Sequence, residues 1–111
     1  MSKPLDPISP ADLKQLLDAP NPPRLLDVRE PNEWVSELGH IEHSELIPLG
    51  TLAANVTKFS GEAREIVVVC KSGMRAGKGA ELLAQHGYKT RVLTGGMMAW
   101  NAASLPIVKT P

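Results

Sequence analysis

Ile66-Val67-Val68-Val69-Cys70 is an unbroken apolar run, and four of its members are β-branched. With no polar alternation, it reads as a strand buried on both faces. Lys71-Ser72-Gly73-Met74-Arg75 breaks the run. A helical period follows from Ala76 to His86, with Ala76, Ala80, Leu83 and Ala84 on one face. Gly77 and Gly79 lie inside that helix, each costing about 1 kcal/mol relative to Ala. Close approach to the sheet or to a ligand is the expected return. His86-Gly87 ends the helix, with Gly87 at C′.

The rest of the chain repeats the alternation. Residues 1–8 read as an exposed lead-in, with Ile8 pairing at a sheet edge. Ser9-Pro10-Ala11-Asp12 is a helix start, with Ser9 capping, Pro10 in the first position and Asp12 as the acid at N3. Leu13, Leu16 and Leu17 then recur at helical spacing, and Pro20, Pro22 and Pro23 stop the helix. Arg24 to Arg29 reads as a short strand ending in charges. Pro31 opens a short helix expected to run through Trp34 to Glu37 and end at Gly39. Leu46 to Leu49 is a brief extended segment, Leu49 to Ala54 another helix, and Lys58 to Arg64 a surface loop. Arg91-Val92-Leu93 is the last strand, and Gly95-Gly96 turns into a helix carrying Met97, Met98 and Trp100. Strands alternating with helices predict an α/β fold, a parallel central sheet with helices on both faces. No repeat or low-complexity tract divides the chain, so residues 1–111 read as one domain with its core over about 8–105.

Composition narrows this further. Hydrophobic residues make up 42% and aromatics 4%, so the core must be mostly aliphatic. Twelve basic residues balance twelve acidic ones, which argues against a nucleic-acid or membrane-surface binder. The same balance gives little electrostatic protection against self-association. There is no secretory signal and no apolar run near about 18 residues, so a cytoplasmic location is expected. One cysteine excludes a disulfide framework, and with three histidines it shows no metal-ligand spacing.

That cysteine, Cys70, falls where an open α/β sheet places its ligand, outside the carboxyl end of a strand. A loop curling onto a helix start points several backbone N–H groups inward, and Lys71 and Arg75 add charge. A thiol set there ionises more easily and becomes a nucleophile facing an anionic substrate. Asp27 and Arg29 end a strand on the same rim. They either support the pocket wall or pair to fix the neighbouring loops, and the second reading is favoured. His40 reads as a partner for backbone groups at a turn, His43 as exposed, Trp34 and Trp100 as packing anchors, and Met97-Met98 as core or pocket lining.

The motifs resemble the single-domain rhodanese family. Leu25-Leu26-Asp27-Val28-Arg29-Glu30-Pro31 with Glu33-Trp34 is similar to that family's "LIDVREPxEY". Gly39-His40-Ile41 with Ile47-Pro48-Leu49 resembles "GHIPGAxNIPL", and Val68 to Arg75 resembles "VxYCRSGxRS". The closing Gly95-Gly96-Met97-Met98-Ala99-Trp100 resembles "GGxxAW". Glu42-His43-Ser44 stands where Pro-Gly-Ala is usual, and Ala76 where a hydroxyl is common.

The resemblance implies sulfur transfer through a persulfide on Cys70, from thiosulfate or a similar small anionic donor to cyanide or a thiol. Lys71, Ser72, Gly73, Met74 and Arg75 would bind the donor, and no metal or organic cofactor is needed. A protein persulfide is an alternative partner. A mercaptopyruvate enzyme would resemble "CGSGVT" at the loop, without these two cations. A related phosphatase would have five residues between cysteine and arginine, whereas four separate Cys70 from Arg75. A non-enzymatic carrier or partner-binding module is the remaining alternative, and the oligomeric state is left open.

Overall fold

The computed structural model describes residues 3–111, so the first two residues of the expected lead-in lie outside it. Four parallel strands form one sheet in the order β2-β1-β3-β4: β1 Arg24–Asp27, β2 Glu45–Leu46, β3 Ile66–Val69 and β4 Thr90–Val92. The helices are α1 Pro10–Leu17, α2 Pro31–Trp34, α3 Leu49–Leu52, α4 Met74–Gln85 and α5 Gly96–Ala102. A 3-10 helix, Ala53–Phe59, continues α3.

The central strand explains the two-sided core. Strand side chains alternate between faces. Ile66, Val68 and Cys70 therefore pack with Leu52, Phe59, Ala76, Ala80 and Leu83 on the α3–α4 side. Val67 and Val69 pack with Leu13, Leu93, Met97 and Trp100 on the α1–α5 side. Every residue of β3 is buried, as an unalternated run requires. Gly79 lets α4 sit close: a methyl there would lie 3.4 Å from Leu52, Val28 and Val68. Gly77 faces no such neighbour, so close approach does not account for it.

Local chemistry sets the helix starts. Ser9 Oγ accepts the Asp12 N–H at 3.1 Å, with Pro10 first in α1. Glu30 and Glu33 form a reciprocal capping box on α2, again with Pro first. Trp34 ends α2, so the helix expected to reach Glu37 is shorter, and turns carry the chain to Gly39. Of the surface loop expected over Lys58 to Arg64, Lys58 and Phe59 instead close the 3-10 helix, while residues 60–64 form no helix or strand and none is buried. Phe59 is fully buried, with the Arg24 guanidinium 4.3 Å above its ring. The turn after Ile41 closes by an N–H from Ser44 to the Ile41 carbonyl at 3.1 Å, with His43 at φ 70. His43 occupies the position where the resembled motif carries glycine, which such a φ favours. Its side chain is exposed, as expected.

The order of strands creates a switch point. The chain leaves β1 toward β2 on one side, and leaves β3 toward β4 on the other. The crevice outside the carboxyl ends of β1 and β3 is where such sheets hold ligands. Asp27 ends β1 there, and Cys70 directly follows β3.

Candidate active site

Cys70 leaves β3 as a side chain on the α4 face, and its residue surface is 1% exposed. The next turn passes over it. Gly73 adopts φ 118 and donates its N–H to Cys70 Sγ at 2.9 Å. That left-handed conformation suits glycine and lets the loop fold back within three residues. Several N–H groups are expected around the sulfur, and among the described residues one reaches it. The helix start beside it is nevertheless open: Gly73 is the N-cap of α4, and no side chain caps the helix. N–H groups of the first turn are thus left for an incoming anion.

A second helix start braces the loop from behind. Met97 and Met98 donate their N–H groups to the carbonyls of Cys70 and Lys71, at 2.8 and 3.0 Å. Gly96 makes this approach possible. At φ +57, a methyl there would stand 2.6 Å from the Lys71 oxygen and closer still to the Cys70 oxygen. Met97 is core, whereas Met98 is 51% exposed and lies outside the core. Met74, first in α4, is 81% exposed.

The charged residues fall into two pairs and one cation. Asp27 and Arg29 are both buried and bonded to each other. Arg29 Nη2 donates to Asp27 Oδ2 at 2.8 Å and to the Gly39 carbonyl at 2.7 Å, while Nη1 donates to the Glu33 carbonyl at 3.2 Å. The pair ties the loop after β1 to the turn at Gly39. Arg75 reaches across the crevice, and its Nη1 and Nη2 donate to Glu33 Oε1 and Oε2 at 2.7 and 2.8 Å. Hydrogen bonding to Glu33 raises the already high Arg75 pKa. The same guanidinium holds the Glu33 carboxyl down to about 2. Lys71 and Ser72 are exposed on the loop, and among the described residues Lys71 makes no ion pair.

Glu33 is the residue that sequence reasoning passed over. It stands 42 positions from Arg75, and its one signal was its place in the Glu-Pro-x-Glu-Trp segment. His40 stands apart from the chemistry. Its ring stacks on Trp34 at 3.5 Å and bonds the Trp34 carbonyl at 2.8 Å. Among the described residues no cluster of His, Cys, Asp and Glu could hold a metal ion. A cleft of about 510 Å³ opens between α1, α5 and β1, lined by Leu17, Leu25, Ile41 and Trp100, away from Cys70.

Residues 9–103 match the model of the rhodanese-like domain. The chain belongs to that family. The rhodanese-like fold extends over the whole of its sheet. A rhodanese-related protein of Thermoplasma volcanium superposes with a TM-score of 0.84 at 30% identity, over 96% of this chain and 100% of that one. Among sequence relatives, YtwF of Bacillus subtilis is 36% identical over 89% of this chain and 93% of its own length. A sulfurtransferase of Allochromatium vinosum is 32% identical over 76% of this chain and 77% of its own. Other relatives are longer: this rhodanese-like domain spans 49% of YrkF of Bacillus subtilis, whose name describes a sulfur carrier protein. No helix among the described residues is long and apolar enough to cross a membrane.

Proposed function

We propose that this rhodanese-like domain moves a sulfane sulfur through a persulfide on Cys70. The Cys70 thiolate attacks the outer sulfur of a donor such as thiosulfate. The donor's S–S bond breaks, its electron pair leaves with sulfite, and a new S–S bond forms at Sγ. The charge carried in by thiolate and thiosulfate leaves as persulfide and sulfite. A thiophilic acceptor, cyanide or a thiol, then takes the outer sulfur and regenerates the thiolate. This is covalent catalysis in two half-reactions. The observation that carries the reading is the Gly73 N–H held 2.9 Å from Sγ beside the uncapped start of α4. Donors fixed in advance where anionic sulfur sits stabilise it without reorganising.

Lys71, Ser72, Gly73, Met74 and Arg75 surround the donor in this reading, and Asp27 and Arg29 hold the loops beneath it. Two exposed methionines, Met74 and Met98, favour a second reading. Met-rich surfaces suit protein partners, so a protein persulfide or thiol would exchange sulfur with Cys70 in a relay.

The test is the intact mass of the protein after incubation with thiosulfate, before and after cyanide. A gain of one sulfur mapped to Cys70, released as thiocyanate and absent in Cys70→Ser, is expected. No gain in the wild type, with the thiol intact, would overturn thiosulfate chemistry, and a protein persulfide tried next would decide for or against the relay. Sustained turnover of an aryl phosphate would instead favour the phosphatase alternative.

A further inference from the structure

We propose that Glu33 is a specificity-determining residue, which by engaging Arg75 fits the site to sulfane-sulfur donors carrying one negative charge rather than two. The inference rests on the sulfur-transfer reading and narrows its substrate class.

The cations on the rim that carries Cys70 are not equally free to meet a donor. Arg29 is buried and committed to Asp27. Arg75 gives both terminal nitrogens to the two oxygens of Glu33. The carboxylate cannot swing aside cheaply, because Glu33 Oε1 also accepts the Glu30 N–H at 3.0 Å in the capping box of α2. That leaves Lys71 as the one loop cation without a carboxylate partner among the described residues. A thiosulfate dianion meeting the Cys70 thiolate brings three negative charges together. To recruit Arg75 it must break two charge-assisted hydrogen bonds and leave Glu33 facing it. A thiosulfonate or an alkyl persulfide brings one charge fewer and does not need Arg75. The carboxyl's pKa of about 2 keeps this competition in force at neutral pH.

Chemistry is unchanged across the donor class. With methanethiosulfonate, Cys70 takes the terminal sulfur, the donor's S–S bond breaks and methanesulfinate departs with the electron pair. The two donors differ in charge while sharing the transferred atom, so they isolate the role of Glu33.

The experiment compares thiosulfate and methanethiosulfonate as donors to cyanide, for the wild type and Glu33→Gln. Glutamine keeps an oxygen for the Glu30 N–H. Releasing a partly exposed ion pair predicts a thiosulfate KM lower by about threefold to fivefold. The KM for methanethiosulfonate changes by less than about twofold, and kcat for either donor holds. An equal change for both donors, no change, or a raised thiosulfate KM overturns the assignment. Thiosulfate binding measured calorimetrically gives a second arm: Cys70→Ser,Glu33→Gln binds it more tightly than Cys70→Ser alone. If the wild type transfers sulfur from neither donor, the small-molecule-donor form of the sulfur-transfer reading fails. The binding arm then still decides whether Glu33 excludes dianions.

Discussion

Gly96 shows how narrowly the site depends on a single missing atom. Its neighbours are the backbone of Cys70 and Lys71, which cannot move without moving the nucleophile. A Gly96→Ala chain combines a left-handed φ with a backbone clash, and we expect it to lose at least about 2 kcal/mol of stability. Because the clash pushes α5 off the loop, sulfur transfer should fall further than the folded fraction does; urea unfolding beside donor kinetics would show this. Cys70, Lys71 and Arg75 were legible because a β-branched run, a glycine and two cations follow one another directly in the chain. The Arg75–Glu33 pair was not, because contact across 42 positions leaves no local pattern. Asp27 and Arg29 stand two apart, so their pairing could be anticipated, but not the Gly39 carbonyl that shares the guanidinium.

Among the elements, α4 matches the pattern of its sequence almost throughout. Its buried face is the one its spacing defines, and His86 and Gly87 close it as expected. Its start moved back two residues, since Met74 and Arg75 already belong to it. Helix starts are hard to fix where the cap is a glycine rather than a hydroxyl or carboxyl side chain. α2 failed in the other direction: the pattern through Glu37 looked helical, but Val35 and Gly39 turn away to deliver His40 to Trp34. The two glycines of α4 separate cleanly. Gly79 spends its helix cost on contact with the sheet, whereas Gly77 has open space. Gly77→Ala is therefore expected to raise stability by about 0.5–1 kcal/mol, visible as a higher urea midpoint at unchanged slope. A loss would mean that the position serves something the packing does not show.

Carboxylates held by arginines give the whole molecule an acid limit. Glu33 and Glu62 each ionise at about 2, against an ordinary 4.5, through hydrogen bonds from Arg75 and Arg64. Arg91 lowers Glu65 as well. A carboxyl that ionises more readily in the folded chain adds stability above its unfolded pKa, and that stability is lost as pH falls through the folded value. Stability should therefore hold above about pH 5 and decline between about pH 4.5 and 2. Urea midpoints across that window would test it, and Glu33→Gln should flatten part of the fall. The parallel α/β order was legible because alternating elements leave few topologies. Which strands became neighbours, and hence the switch point, depended on long-range pairing that no segment announces.

Residues 5–8 run beside β4: Leu5 and Ile8 donate their N–H groups to the carbonyls of Thr90 and Val92 at 2.7 and 3.0 Å, and Thr94 returns one to Ile8 at 2.9 Å. Ile8 and Leu93 form a parallel bridge. The outer groups of β4 are therefore already paired, and the opposite margin, β2, is two residues long. A protein with balanced charges has no long-range repulsion to keep copies from stacking edge to edge into fibrils. Here that protection comes from a few residues ahead of the first helix, which sheathe the hydrogen-bonding groups a fibril would need.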